Sequence, residues 1–293
     1  MALETAILQI FFNSIALGLM FGLVGLGLSL LRGVLKLIDV SQAVYYLLAG
    51  YITYFLGVTF GLPLPLVLAI AMVIGFGLGA IIERGLLEPR GLIRNSTNVM
   101  MITTGIAIAA EQFFTIAFGS YYRTIPSIVP GVFELFGYFV QLQQIVGGLF
   151  ALALAGGVYL ILKKTKLGIA IRLVAFDRDF AQMLGVNASR IALLTYAIGG
   201  ALSSAPGVFL TAVYVLHPSL LWNITTLAFV VVILGGEGSL SGTLLAGIAY
   251  AFALNIASYF VPQLSTVIGL LMIILVLVLH PSGFRGKLFV ERA

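Results

Sequence analysis

The sequence contains few side chains that could carry out covalent or acid–base chemistry, and these lie far apart. Its two histidines, His217 and His280, each precede a proline and are distant from one another in the sequence. No Ser–His or paired-Asp arrangement falls within an apolar segment, so an intramembrane protease is not indicated. The chain has no Cys, which excludes thiolate metal ligands and disulfides. We therefore expect no catalytic residues, no metal and no cofactor bound by this chain.

The sequence also lacks a loop of its own for binding nucleotide phosphates. The pattern G-x-x-x-x-G-K-[ST] does not occur, and the backbone of such a loop is what cradles phosphates. The glycine-rich run at 235–239 follows an apolar stretch and contains Glu237, whose charge would repel phosphates. If ATP drives this protein, we expect ATP and Mg²⁺ to be bound by a different polypeptide.

The composition indicates that lipid, rather than water, surrounds most of the chain. Hydrophobic residues make up 61% and charged residues 9% of its 293 residues, whereas a soluble domain has roughly 25% charged residues. Apolar stretches lie at about 5–31, 40–60, 62–82, 97–118, 143–162, 190–216, 220–235, 242–261 and 263–280. Because a spanning helix needs about 20 apolar residues, we predict an all-α, polytopic transmembrane helical bundle of about nine spans, with eight to ten possible. It would form one domain over residues 1–293.

The distribution of basic residues gives the predicted bundle an orientation. In a nine-span arrangement, every Lys and Arg except Arg123 falls on one side of the membrane. Because basic loops stay in the cytoplasm, we expect a cytoplasmic C-terminus and an outer N-terminus. The formal net charge of +5 then reflects loops that face anionic lipid, and we expect no nucleic-acid partner. The first apolar stretch is too long for a cleaved signal peptide, so we expect it to be retained.

Polar side chains inside apolar stretches are costly in lipid and are candidates for a transport pathway. Many such Ser, Thr and Asn residues only hydrogen-bond to neighbouring helices. Glu111 needs a partner or water, and it could face a passing ammonium group, pair with Arg123 or lie in the outer interface, which we favour. The candidate pathway residues are Ser41, Gln42, Thr103, Thr104, Glu111, Ser203, Ser204 and Asn223.

Two interrupted regions, at 32–42 and 234–242, place glycine and charge where a continuous helix would be expected. Non-helical backbone at membrane depth is tolerated only inside protein or beside a water-filled cavity, and such breaks point to transport sites. The alternative is that each region is a turn at the end of a span. We favour the turn for residues 235–242 and leave both alternatives open for residues 38–42.

The basic loop at about 165–190 contains an amphipathic pattern. Phe176, Phe180 and Met183 with Leu184 recur at helical spacing, which predicts one apolar helix face. Such a helix could lie on the membrane surface, or it could dock into a groove on a cytoplasmic subunit. The acids Asp177 and Asp179, so close to the apolar face, favour a protein partner.

Several motifs resemble the permease subunits of bacterial ABC importers for branched-chain amino acids. They are Thr165-Lys-Leu-Gly-Ile-Ala-Ile-Arg172, Met183-Leu-Gly-Val-Asn187, Ala197-Ile-Gly-Gly-Ala-Leu-Ser-Ser-Ala-Pro-Gly207, Ile82-Glu-Arg84 with Pro89-Arg90, Val232-Ile-Leu-Gly-Gly-Glu-Gly-Ser-Leu-Ser-Gly242, and Leu279-His-Pro-Ser-Gly283. They occur in family order along the whole chain. Where the family usually carries a His and an acid, this chain has Gln42 and Val44, which leaves the substrate class open.

This resemblance implies that residues 172–187 form a coupling helix seated on an ATPase subunit. The residues that would couple are Arg172, Phe176, Asp177, Arg178, Phe180, Met183, Leu184 and Gly185. It further implies two ATP-binding cassette subunits, a second homologous or identical permease, an extracytoplasmic solute-binding protein and a location in the bacterial inner membrane.

We therefore expect a permease subunit that imports a small polar solute. Branched-chain amino acids are the favoured solute, followed by other amino acids, urea or short amides. The alternative is a stand-alone secondary transporter coupled to ions or protons. That carrier would need a chain of buried acids or cations across several spans, and Glu111 alone is a candidate. A non-transporting scaffold would leave the interrupted regions unexplained.

Overall fold

A computed structural model describes residues 2–89, 95–127, 129–135 and 138–264, together with the single residues 267, 271, 274, 278, 283 and 284. Of residues 2–8, 134–135 and 138–139, we describe the backbone alone. The helices in these ranges are α1 (Ala2–Leu35), α2 (Gln42–Ile52), α3 (Leu64–Ile82), α4 (Ser96–Phe118), α5 (Leu142–Lys164), α6 (Lys166–Phe176), α7 (Arg178–Met183), α8 (Ala188–Leu210), α9 (Leu220–Gly235) and α10 (Leu240–Phe260). The α2 and α3 helices continue as π-helical segments, Thr53–Thr59 and Glu83–Leu87, and a 3₁₀ turn follows at Pro262–Leu264.

Six helices in the described ranges are long and apolar enough to cross a membrane: α1, α3 with its π-helical continuation, α4, α5, α8 and α10. The shorter α9 is apolar as well. These helices confirm an α-helical, polytopic membrane protein. Only residues 263, 264, 267, 271, 274 and 278 of the ninth predicted span, 263–280, are described. Arg90, Arg94, His280 and the basic residues beyond 284 lie outside the described residues. The total of nine spans therefore stays a prediction.

The long connection between α4 and α5 contains a β-hairpin that the hydropathy pattern did not predict. Strand β1 (Val132–Leu135) pairs antiparallel with β2 (Tyr138–Gln141), with Val132 opposite Gln141. A ladder of this kind satisfies backbone N–H and C=O groups in a loop too long for a simple turn. The sixth predicted span was also too long at its C-terminal end, because α8 ends at Leu210 rather than at residue 216.

The bundle is arranged around α1. In an apolar 18-residue stretch of α1, 83% is buried, against 22% in the corresponding stretch of α4. Small residues allow this, because Gly18 with Gly22 and Gly75 with Gly79 are spaced so that helix backbones can approach each other. A Cβ on Gly247 of α10 would lie 2.5 Å from the carbonyl oxygen of Gly18. A Cβ on Gly75 of α3 would lie 2.7 Å from the carbonyl oxygen of Gly200 in α8. Backbones at these distances leave no room for a side chain.

We predict that Gly247→Ala destabilises the protein by about 1–3 kcal/mol, because the added methyl group must push α10 away from the backbone of α1. The measurement is thermal unfolding of the protein in detergent. The matched control is Gly156→Ala in α5, where an added Cβ meets nothing within 4 Å, and it should leave stability unchanged or slightly higher. Equal effects of the two substitutions would contradict this account of the α1–α10 contact.

Candidate functional site

The link between α1 and α2, residues 36–41, is non-helical and folds back into the bundle. Lys36 turns the chain with a positive φ of 56°, and Asp39 and Ser41 are buried. The Val40 amide donates to Thr103 Oγ1 at 3.1 Å, seven residues into α4 and so about 10 Å along it. The interrupted region at 38–42 therefore lies inside the protein, where such backbone is tolerated. That the link lies at membrane depth, rather than forming a turn at the end of a span, stays a prediction.

Asp39 organises this link. Its carboxylate accepts hydrogen bonds from the Ser41 amide (2.8 Å), the Ser41 hydroxyl (2.6 Å) and Gln42 Nε2 (2.8 Å). A fully buried carboxylate is tolerated only when it is paired or hydrogen-bonded in this way. Asp39 is not among the pathway residues that the sequence predicted. Its role could have been recognised from its position, because Asp39 lies two residues before Ser41, where α2 begins. An Asp side chain commonly accepts a hydrogen bond from the backbone amide two residues further along the chain.

Gln42 connects this link to α8. Its Oε1 accepts a hydrogen bond from Ser203 Oγ at 2.7 Å, while its Nε2 donates to Asp39. Four predicted pathway residues thus meet in one buried network, which we call the Asp39 network: Ser41, Gln42, Thr103 and Ser203, with Asp39. All of them are at most 3% exposed. In this conformation they join the link, α4 and α8, and their contact with a solute stays a prediction.

The remaining predicted pathway residues lie outside the Asp39 network. Ser204 Oγ donates to the Gly200 carbonyl within α8 (2.8 Å), and Thr104 Oγ1 donates to the Met100 carbonyl within α4 (2.7 Å). Asn223 is exposed on α9. The structure therefore does not gather the predicted pathway residues into one site.

Glu111 has a partner that the sequence analysis did not consider. Its Oε2 accepts a hydrogen bond from the Trp222 indole at 2.8 Å, which ties α4 to the start of α9. Arg123, considered as the partner of Glu111, instead donates to the Phe118 carbonyl at 2.7 Å and lies over the Tyr54 ring. An indole donor satisfies a carboxylate in an apolar setting without a second full charge.

The second interrupted region is a turn at the end of two helices, as favoured from the sequence. Residues 236–239 connect α9 to α10, with positive φ at Gly236 and Gly238. Glu237 in this turn forms an ion pair with Arg32 in the last turn of α1. The two interrupted regions are therefore joined across one end of the bundle. We call this the basic end, because α5 ends in Lys163 and Lys164 here too.

The predicted single helix over 172–187 was wrong, because the structure divides this segment at Asp177. Helix α6 ends at Phe176, and the Asp177 carboxylate accepts from the amides of Asp179 (2.8 Å) and Phe180 (2.9 Å) to begin α7. An Asp side chain that binds amides of the next turn favours a helix start over a helix interior. Gly185 then takes a positive φ of 81°, so it ends α7 as expected.

Helix α7 nevertheless presents the predicted apolar side chains on the surface. Its Ala181 is fully buried and fixes the helix against the bundle. The exposed residues, here called the α7 patch, are Phe176 (61%), Phe180 (47%), Met183 (85%) and Leu184 (58%). Contiguous exposed apolar side chains beside charged ones indicate an interaction site more than chance exposure does. The patch is compatible with both a lipid surface and a protein partner.

A cavity of about 500 Å³ separates α7 from the buried link. One side is lined by Phe176, Asp177, Arg178 and Asp179, and the other by residues 34–37 and Ser96. Ser96 Oγ accepts from the Ile38 amide at 3.2 Å, so the start of α4 supports the link that carries Asp39. The link that carries Asp39 and the start of α7 therefore border the same cavity.

The described residues offer no group of three or more His, Asp or Glu that could hold a metal ion. His217 packs against Tyr122, with ring centroids 4.8 Å apart. Desolvation lowers the pKa of His217 below its usual value, which favours the neutral imidazole at this aromatic contact.

A family model described as "Branched-chain amino acid transport system / permease component" matches residues 10–277. The chain belongs to this family. It is 27% identical over 302 residues to the high-affinity branched-chain amino acid transport system permease protein LivH of Escherichia coli K12, with 97% of each chain covered. It is 28% identical over 305 residues to the corresponding permease protein BraD of Pseudomonas aeruginosa, again with 97% of each chain covered.

A more distant relative is the ribose import permease protein RbsC of Haemophilus influenzae, 28% identical over 223 residues, which cover 68% of this chain and 63% of that protein. No solved structure matches the chain. Membership of the family confirms the resemblance drawn from the motifs and the multi-pass location in the inner membrane. It also favours a permease component over the stand-alone secondary transporter.

We predict that Ser203→Ala in this permease lowers the free energy of unfolding by roughly 1–3 kcal/mol, because Gln42 Oε1 loses its buried donor. The neighbouring Ser204→Ala is a matched control, since that hydroxyl bonds only within its own helix in the described contacts. Thermal unfolding of the two variants in detergent checks the prediction. Equal stability of both variants would argue against the Asp39 network as a tie between α2 and α8.

We also predict that Glu111→Leu shifts the fluorescence of Trp222 to shorter wavelength, because the indole nitrogen loses its polar partner. Trp222 is the chain's one Trp, so intrinsic emission reports this contact alone. Glu111→Gln retains an acceptor oxygen and should shift the emission less. Gln112→Leu, at the exposed neighbouring position, should leave the spectrum unchanged; an equal shift in that control would disprove the contact.

Proposed function

We propose that this chain is the membrane permease subunit of an ATP-driven importer for branched-chain amino acids. The observation that carries the proposal is the similarity to LivH and BraD, named for that transport, over 97% of the chain. The ribose permease matches over a smaller share of its own length, which favours amino acids over sugars. Gln42 replaces a residue expected from the family, but it is engaged with Asp39 and Ser203 inside the protein. The departure from the family at position 42 therefore affects packing inside the protein more than recognition of the solute.

In this proposal the basic end faces the cytoplasm and α7 docks on an ATPase subunit. The bundle's basic helix ends support the orientation through the positive-inside rule. The Phe284 amide donates to the Leu234 carbonyl at 2.8 Å, which supports a C-terminal segment at that same end. The exposed α7 patch is the expected face for a groove on a soluble partner. ATP and Mg²⁺ would be bound by two such subunits, since this chain has no phosphate-binding loop.

Two routes connect the α7 patch to the interior of the permease. The turn at 184–187 leads directly into α8, where the Asn187 side chain accepts from the Arg190 amide at 3.0 Å to begin the helix. Helix α8 carries Ser203, which bonds Gln42. The second route crosses the cavity between Asp177 and the link at 36–41. A rigid-body shift of α7 would therefore move both sides of the Asp39 network, Ser203 on α8 and the link at 36–41. Coupled segments in switching proteins move in this way.

The solute path in this proposal lies between this chain and a second permease, homologous or identical. The predicted pathway residues of the Asp39 network are buried within one chain. A solute therefore passes either when these residues separate or along an outer face of the chain. At the end opposite the basic one, Tyr121 and Tyr122 are exposed beside the β-hairpin. Aromatic residues of this kind are favoured at protein interfaces, and this end would receive the extracytoplasmic solute-binding protein.

We predict that Phe180→Asp abolishes ATP-dependent uptake of labelled leucine by vesicles that contain the complete importer, because a charge replaces the apolar contact of the docked helix. The loss should exceed tenfold, and the ATPase subunits should no longer co-purify with the permease. Phe180→Leu is the matched control and should retain most of the uptake.

Thermal unfolding of the Phe180→Asp variant should match that of the wild type, since half of this side chain is already exposed. Full leucine uptake by the stably folded Phe180→Asp variant would contradict the coupling role of α7. Uptake of leucine by the permease alone, without ATP and ATPase subunits, would contradict the proposed function itself.

A further inference from the structure

A second cavity at the basic end, of about 280 Å³, lies between α5, α6 and the start of α10. It is separate from the cavity beside α7, and its wall includes Arg172, one of the predicted coupling residues. The residues that line it are Tyr159, Leu162, Lys163, Arg172, Gly238, Leu240 and Ser241. This set contains two cations and no acid, together with apolar walls.

Each cation is exposed and makes one hydrogen bond to another residue of the cavity wall. Lys163 Nζ donates to the Tyr159 hydroxyl at 3.1 Å and lies 5.4 Å from the centre of that ring. Arg172 Nη1 donates to the Leu162 carbonyl at 2.9 Å, so a side chain of α6 is fixed to the end of α5. A guanidinium has five N–H donors in a rigid fork, and this single bond orients the rest of the fork. An oriented guanidinium beside an ammonium suits a phosphate group.

The third side of the cavity is the first turn of α10. Ser239 begins the helix by accepting from the Gly242 amide at 3.1 Å, and Leu240 follows it into the cavity wall. The positive end of the 21-residue α10 offsets the negative end of α5, whose last turn also lines the cavity. The two cations then remain as the net charge, and they favour an anion here.

Two other cavities among the described residues do not share this chemistry. The cavity beside α7 is lined by two acids as well as two cations, Asp177 and Asp179 with Lys36 and Arg178, so it does not select an anion. A cavity at the opposite end, near Phe12 and Phe133, is lined by no charged residue. Of these three cavities, the one at Arg172 combines two cations and no acid with apolar walls.

We propose that this cavity binds the phosphate headgroup of an anionic phospholipid, with Lys163 and Arg172 on the phosphate and the acyl chains along α5. Helix α5 ends and α10 begins here, at the membrane surface, where headgroups of this kind are located. Basic pockets between transmembrane helices at the cytoplasmic face bind anionic headgroups. Tyr159 and Leu162 supply the apolar contacts that a lipid has and a free phosphate lacks. The lipid would fasten α6, the helix that leads into α7, to α5 and α10.

The test measures lipid selectivity of the full-length chain in phosphatidylcholine vesicles, with trace spin-labelled phosphatidylglycerol or phosphatidylcholine. We expect the wild type to prefer phosphatidylglycerol over phosphatidylcholine. In the double variant Lys163→Gln, Arg172→Gln, the ratio of the two lipid affinities should fall about fivefold for each cation removed. The matched control removes two other cations of the basic end, through Lys164→Gln and Arg190→Gln, and it should retain most of the preference. Equal losses in the two double variants would overturn the site.

A second arm separates a lipid from a free anion. Inorganic phosphate or glycerol 3-phosphate, added at millimolar concentration, should not displace the spin-labelled lipid from the wild type. Displacement by inorganic phosphate would overturn the assignment to lipid. If the double variant does not fold, Lys163→Gln alone, compared with Lys164→Gln, gives the same contrast between two adjacent exposed lysines. The readout does not involve transport, so its failure is distinguishable from failure of the proposed function.

Discussion

Contact between helix backbones at glycine is the interaction on which the rest of this permease depends. In lipid, apolar side chains gain nothing from meeting one another rather than the acyl chains, so close packing must supply the association energy. Gly18 and Gly247 bring α1 against α10, and Gly75 and Gly200 bring α3 against α8. The resulting bundle is tight enough to exclude lipid from around α1. A non-helical link can then exist inside it, since its polar backbone meets protein rather than acyl chains.

That protected interior explains how Asp39 can be buried. Its carboxylate would be prohibitively costly in lipid, yet three donors from Ser41 and Gln42 surround it. In a medium of low dielectric such hydrogen bonds strengthen one another, and losing one is correspondingly expensive. The same chain of bonds reaches Ser203 on α8. Separating α8 from the link would therefore leave buried polar groups unpaired, which is costly.

The basic end separates two kinds of surface that the sequence presents as one loop. Phe180 and Met183 on α7 are apolar and exposed, whereas Arg172 on α6 faces a cavity shared with α5 and α10. Asp177 divides them, because its carboxylate begins a new helix. The family resemblance grouped Arg172 with the α7 residues in a single coupling helix. The break places Arg172 in the wall of one cavity and Phe176 with Asp177 in the wall of another.

The sequence by itself determined the membrane location, the helical character of the spans and the family, because hydropathy and motif order are local properties of the chain. It also predicted the apolar helix face around Phe180 and the turn within residues 235–242. Only the tertiary structure decided that Asp39 organises the link, that Glu111 bonds Trp222 and that Gln42 reaches Ser203. The last two contacts join residues separated by 111 and 161 positions. No periodicity or local spacing encodes such partners, since they depend on which helices pack together and how deeply each lies.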